Sequence, residues 1–167
     1  MAPAKNRTEM KLTHMDEQAR ARMVDVTAKP STDRVAIAKG LVVLSRKLMT
    51  LLRRKQLPKG DPFETARIAG VMAAKKTAEL IPLCHSLALS HINVDLTWKR
   101  NGLEITATVR CPGATGVEME ALTAVAVAAL TLYDMCKAVD KGIVISDIRL
   151  MEKQGGSRGH YVRQESL

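Results

Sequence analysis

The residues best suited to acid–base chemistry in this 167-residue chain gather at the two ends of one apolar segment. Glu118 and Glu120 open the segment 117–139, and Asp134, Lys137 and Lys141 lie near its close. The nearly uncharged stretch between Glu120 and Asp134 reads as a helix buried on most sides. On a helix Asp134, Lys137 and Lys141 fall at i, i+3 and i+7 and share a face. Charges that match the helix dipole explain Glu118, Glu120 and Lys141 about as well as chemistry does. They do not explain Asp134, because a negative charge near a helix C-terminus is unfavourable. With Lys137 beside it, Asp134 forms a carboxylate–ammonium pair suited to proton transfer. Glu120 and Asp134 are 14 residues apart, about 21 Å along a helix. One small substrate cannot easily touch both ends. Two such helices packed antiparallel about a two-fold axis would bring one chain's start to the other's end. The expected site is therefore shared between subunits.

His85 follows Cys84 on a predicted loop. His14, His91 and His160 offer no metal-ligand spacing with it. A histidine that donates a hydrogen bond to substrate, or acts as a general acid, is expected there, with a buried structural histidine as the alternative. No metal and no organic cofactor is expected. Lys59 precedes a helix start at Gly60-Asp61-Pro62 and is placed to hold an anion against the backbone N–H groups there. Arg67, Lys75 and Lys76, farther along that helix, read as solvated surface. Gly155-Gly156, between Lys153 and Arg158, could form a backbone nest for phosphate, although a frayed terminus accounts for the same residues.

These side chains need elements to position them. Residues 1–22 read as a flexible N-terminal arm, 23–160 as one domain and 161–167 as a tail. Residues 23–27 suggest a short strand, and Lys29-Pro30-Ser31-Thr32-Asp33 a turn. Residues 35–44 suggest a second strand merging into a helix near Ser45, which ends at Arg53-Arg54-Lys55. Asp61 and Pro62 predict a helix N-terminus, with the helix running to about Leu80. Gly70 inside it implies close packing. Ile92, Val94, Leu96 and Trp98 alternate, residues 99–102 turn, and Leu103, Ile105, Ala107 and Val109 alternate again, which predicts a hairpin. A loop over 111–116 leads into the long helix, and Ile143–Leu150 supplies the last strand. The order predicts an α+β fold, a ferredoxin-like antiparallel sheet with helices packed on one face.

The formal net charge of +9 leaves nucleic acid, a membrane surface or a polyanionic small molecule as partner classes. Only Phe63, Trp98, Tyr133 and Tyr161 are aromatic, too few for base stacking to carry recognition. A basic RNA-binding α+β module remains the alternative. The three cysteines, Cys84, Cys111 and Cys136, form no C-x-x-C pair and fit a reducing cytoplasm. The N-terminal residues show no apolar signal core, and the uncharged run 121–133 is short of the ~20 residues a spanning helix needs.

Five strings are specific when taken together: Lys59-Gly60-Asp61, Ala66-Arg67-Ile68-Ala69-Gly70, Leu80-Ile81-Pro82-Leu83-Cys84-His85, the run Thr115–Ala124, and Tyr133-Asp134-Met135-Cys136-Lys137-Ala138-Val139. In this order they resemble the molybdenum-cofactor biosynthesis protein C family, the cyclic pyranopterin monophosphate synthases, over about residues 12–160. The resemblance implies a ferredoxin-like fold and a homohexamer, a trimer of dimers with the site at each dimer interface. It implies a lyase that converts 3′,8-cyclo-7,8-dihydro-GTP to cyclic pyranopterin monophosphate and releases pyrophosphate, without cofactor. Lys59, Asp134 and Lys137 match the family's acid–base positions. His85, Glu118 and Glu120 match its substrate-side positions, together with Leu83, Cys84 and Met119. Asp25, Arg34 and Lys153 match further site positions, the last two as triphosphate contacts. Two departures stand out. Ala114 occupies a position where the family often has a basic residue, and Ser86 one where proline is common.

Overall fold

The structure is a computed structural model, and it describes residues 18, 20–57, 59–157 and 159–164. Most of the arm read at 1–22, His14 and the Arg158 end of the expected phosphate nest lie outside the described residues.

Four long strands, β1 (Thr32–Val43), β2 (His91–Lys99), β3 (Gly102–Gly113) and β4 (Val144–Gln154), form an antiparallel sheet with the two-residue β5 (Tyr161–Val162). The strand order is β2-β3-β1-β4-β5. The helices are α1 (Arg46–Arg53), α2 (Pro62–Lys75), α3 (Thr77–Leu80) and α4 (Glu118–Cys136). With α2 and α4 as the crossovers, the first four strands follow the ferredoxin-like βαββαβ path, so the α+β expectation holds.

Alternation builds the core. Ala36, Ala38 and Val42 of β1, and Leu103, Ile105, Ala107 and Val109 of β3, are fully buried beneath the helices. Ala121, Ala124, Val125, Ala128 and Leu132 of α4 meet them. Full burial of each Val or Leu is worth roughly 1.5–3 kcal/mol. The small side chains let α4 sit low on the sheet: a Cβ on Gly40 would come within 2.7 Å of Val125 Cγ1. Gly70 plays the same part between α2 and α4, where a Cβ would lie 3.0 Å from the Ala124 carbonyl oxygen. α4 is long and apolar enough to cross a bilayer, but half of its apolar stretch is buried inside this fold, as in a core helix.

Several elements differ from expectation. Residues 23–27 form no strand; Val24 and Val26 instead wall a cavity, and the turn closes with Lys29 N–H donating to the Val26 carbonyl at 3.0 Å. The helix expected to reach Leu80 breaks at Lys76, where buried Thr77 donates its hydroxyl back to the carbonyls of Ala73 and Ala74. Such back-bonding competes with the helix ladder. The loop expected at Cys111 begins later, because β3 continues to Gly113 against Thr32. β5 extends the sheet past residue 160 by pairing Tyr161 and Val162 with Lys153 and Glu152.

Candidate active site

The N-terminal end of α4 opens onto a cavity of about 650 Å³. Val24, Val26, Lys29, Pro30 and Thr32, the Leu83-Cys84-His85 loop, the Ala114–Gly116 approach to α4 and the turn after β4 wall it. A Cβ on Gly116 would lie 1.9 Å from Glu118 Oε2, so only glycine lets the Glu118 carboxylate fold back against the chain. Lys153, at the end of β4, pairs with that carboxylate at 3.2 Å. Glu120 is 4% exposed and faces the same cavity. Burial pushes its carboxyl above the ordinary 4.5, and the charge of Glu118 adds to the shift. Met119 lines the mouth and is partly exposed.

His85 donates from Nε2 to the Val24 carbonyl at 2.8 Å, which leaves Nδ1 as the free ring nitrogen when the imidazole is neutral. Cys84 lines the cavity beside it. Burial, then Glu120, raises the Cys84 thiol, and the same causes raise Cys111. Both are poor nucleophiles near neutral pH. Arg34 donates to the carbonyls of Gly113 at 3.0 Å and Ala114 at 3.2 Å. Gly155 and Gly156 have φ of +94° and +80°, and a Cβ on Gly156 would fall 1.7 Å from Arg34 Nη1. The glycine pair thus leaves space for the guanidinium.

The C-terminal end of α4 carries a second cluster. Lys137 Nζ lies 2.6 Å from Asp134 Oδ1, and Lys59 Nζ lies 3.5 Å from Oδ2. Lys59 also donates to the Asp134 carbonyl at 3.2 Å. The hydrogen bond and charge of Lys137, with the charge of Lys59, hold the Asp134 carboxyl below its ordinary 3.8; Asp134 in turn raises Lys137 above 10.5. All three are exposed, with side-chain exposures of 45–56%. Behind them, burial pushes the Cys136 thiol up to about 11.

The predicted residues therefore form two groups. Arg34, Leu83, Cys84, His85, Glu118, Met119, Glu120 and Lys153 share the cavity, and Lys59, Asp134 and Lys137 share the far end of α4. Asp25 joins neither. Its carboxylate accepts from the Thr27 amide at 2.9 Å and hydroxyl at 2.7 Å, which shapes the local turn. At the start of α2 the amides of Phe63 and Glu64 are capped by Asp61, and Lys59 reaches across to Asp134 instead. Lys141 lies beyond the end of α4, so the shared face with Asp134 does not extend to it. Lys29 and Ser157 also line the cavity. Ser157 falls in the glycine-rich stretch between Lys153 and Arg158, whereas Lys29 sits in a segment that reads only as a turn. Among the described residues no group of three or more His, Cys, Asp or Glu side chains is arranged to hold a metal ion.

The aromatic side chains are not arrayed for base stacking. Phe63 and Trp98 pack on each other, Tyr133 is partly buried, and Tyr161 is exposed at the sheet edge. Fold and cavity together define a ferredoxin-like α+β protein in which cations, carboxylates and a histidine line a space of small-molecule size. The chain belongs to the MoaC family, whose model matches residues 23–156. It is 59% identical over 157 residues to the cyclic pyranopterin monophosphate synthase of Chloroflexus aggregans, covering 93% of this chain and 95% of that protein. It is 56% identical over 153 residues to the cyclic pyranopterin monophosphate synthase 2 of Mycobacterium tuberculosis, covering 92% of each. The Desulfitobacterium hafniense cyclic pyranopterin monophosphate synthase is 54% identical over 159 residues, 95% of this chain and 98% of the relative.

Proposed function

We propose that this chain is a cyclic pyranopterin monophosphate synthase of molybdenum cofactor biosynthesis. It takes 3′,8-cyclo-7,8-dihydro-GTP, opens the purine-derived ring, closes a cyclic phosphate and releases pyrophosphate. The observation that carries this reading is the shared cavity at the head of α4, lined by the cations Arg34 and Lys153 and by the buried carboxylate of Glu120. Arg34 and Lys153 take the triphosphate, and their charge stabilises the departing pyrophosphate. His85, Glu118 and Glu120 hold the base-derived ring, with Leu83, Cys84 and Met119 around it. Lys59, Asp134 and Lys137 move the protons that ring opening and phosphate closure require.

The two groups act together across an interface between protomers. α4 has 19 residues, so its ends are roughly 28 Å apart. A second copy, antiparallel about a two-fold axis, lays its Lys59–Asp134–Lys137 cluster over the cavity of the first. Exposed Ile68 and Met72 on α2, and Leu130 on α4, offer an apolar surface on the helix layer. Val144, Ile148, Tyr161 and Val162 offer another at the β4–β5 edge. Two kinds of apolar surface suit a homohexamer built as a trimer of dimers. The free thiols of Cys84, Cys111 and Cys136 suit a reducing cytoplasm.

The direct test is release of pyrophosphate from the cyclised GTP intermediate by purified protein. Lys59→Ala and Asp134→Ala should fold normally, since exposed ion pairs contribute only ~0–1 kcal/mol. Turnover should fall ~10²-fold or more in each. Near-normal turnover in either variant removes that residue from the proton-transfer set.

A further inference from the structure

We propose that Trp98 is a positioning residue for Lys59, clamping both ends of the loop that presents it. The inference rests on Lys59 acting in the proposed reaction. Lys59 sits between α1 and α2, in a chain reversal with Lys55 at φ +55° and Gly60 at φ +87°. The Gly60 amide donates to the Leu57 carbonyl at 3.3 Å and closes a turn around it. Trp98, near the end of β2, meets the residues that flank this loop. The Arg53 guanidinium, last in α1, lies 4.8 Å over the indole ring. Phe63, second in α2, packs edge-on against the indole with ring centroids 5.8 Å apart. Leu57, only 9% exposed, lines a cleft of about 370 Å³ together with Trp98.

The ion pair of Lys59 with Asp134 is exposed, and exposed pairs hold a chain weakly. The apolar side of the loop must therefore set where the ammonium stands. Aromatic pairing, a cation over an indole face and burial of Leu57 all converge on that side. Trp98 does not line the cavity at the head of α4, so it has no route to direct substrate contact within the chain.

The test compares Trp98→Ala, Trp98→Phe and Lys59→Ala with the wild-type protein, by amide hydrogen exchange and by pyrophosphate release from the cyclised GTP intermediate. In Trp98→Ala, the hydrogen-bonded amides of Gln56 and Gly60 should exchange ~10-fold faster while those of α4 are unchanged. Its kcat should fall ~10-fold with KM within about twofold, because a misplaced catalytic group slows chemistry without loosening substrate. Trp98→Phe keeps a ring against Phe63 and should restore most of both. If Trp98→Ala does not fold, Phe63→Leu removes the same edge contact and should give the same pattern. Unchanged loop exchange, or a KM rise that accounts for the whole loss, overturns the positioning role. Full turnover in Lys59→Ala would instead overturn the catalytic reading of the lysine, and loop exchange in Trp98→Ala would still decide the clamp.

Discussion

The two ends of α4 carry the same chemical types in opposite physical settings. At its N-terminal end the carboxylate of Glu120 is buried, its pKa is raised, and Glu118 is tied to Lys153 with both side chains less than a third exposed. At its C-terminal end the carboxylate of Asp134 stands in solvent between two lysines, and its pKa is lowered. One end is already dry enough for charge to matter strongly. The other has its charges aligned but still screened by water. Under the function proposed above, the exposed end is the one that a covering surface or the substrate has to desolvate for its charges to act strongly.

The largest test of that contrast mixes two inactive chains. Glu118→Ala disables the buried end, and Lys59→Ala the exposed end. If each site joins one end from each protomer, random re-pairing should return about a quarter of the wild-type turnover from near zero. Mixtures that stay inactive after subunit exchange place both ends of each site in one chain, or place the site elsewhere.

Gly156→Ala acts on the buried end alone. Its added methyl meets the Arg34 guanidinium in a backbone region that already disfavours side chains. Displacing one charge-assisted anion contact should weaken substrate binding ~10-fold, read as KM with kcat little changed. An unaltered KM would show that Arg34 can be held in another way.

Gly70→Ala leaves both charge clusters in place and pushes apart the helices behind them. The new methyl meets the Ala124 carbonyl, Val94 and Ala128 at 3.0–3.3 Å. Overpacking of ~1–3 kcal/mol should outweigh the ~1 kcal/mol gain in helix propensity. Denaturant midpoints should therefore fall; a rise would mean that α2 slides without strain.

The smallest effect distinguishes the two carboxylates by pH. Because the folded-state pKa of Glu120 lies above 4.5, the folded protein binds more protons there than the unfolded chain does. That contribution to stability is present below the unfolded pKa and is lost as pH rises through the folded one. Asp134 has the opposite sign: its folded pKa lies below 3.8, so its contribution holds above the unfolded value and is lost only as pH falls through the folded one. Glu120→Gln should then raise the melting temperature at about pH 8 more than at about pH 4, and Asp134→Asn should not. Equal shifts at both pH values would show that Glu120 is not ionised against its burial.

Much of the scaffold was legible because its signals are local. The β2–β3 hairpin alternates with period two, Asp61-Pro62 caps a helix, and the apolar run from Glu120 to Asp134 makes a buried one. Val24 and Val26 also alternate, yet they wall a cavity and pair with no strand over 23–27, since alternation alone does not supply a neighbouring edge. β5 is only two residues long and carries no pattern of its own.

By itself the sequence determined the family, the helix-and-strand order and the inventory of acids and bases, since each is written in residue types and short spacings. Only the tertiary structure decided the partners. Lys153 meets Glu118, Lys59 meets Asp134, and Arg34 meets the carbonyls of Gly113 and Ala114 across long stretches of chain. It also separated Asp25 from the group with which it had been placed, and showed which carboxylate is dry and which is wet. Burial and long-range contact are properties of how elements pack, and no local spacing encodes the dielectric around a side chain.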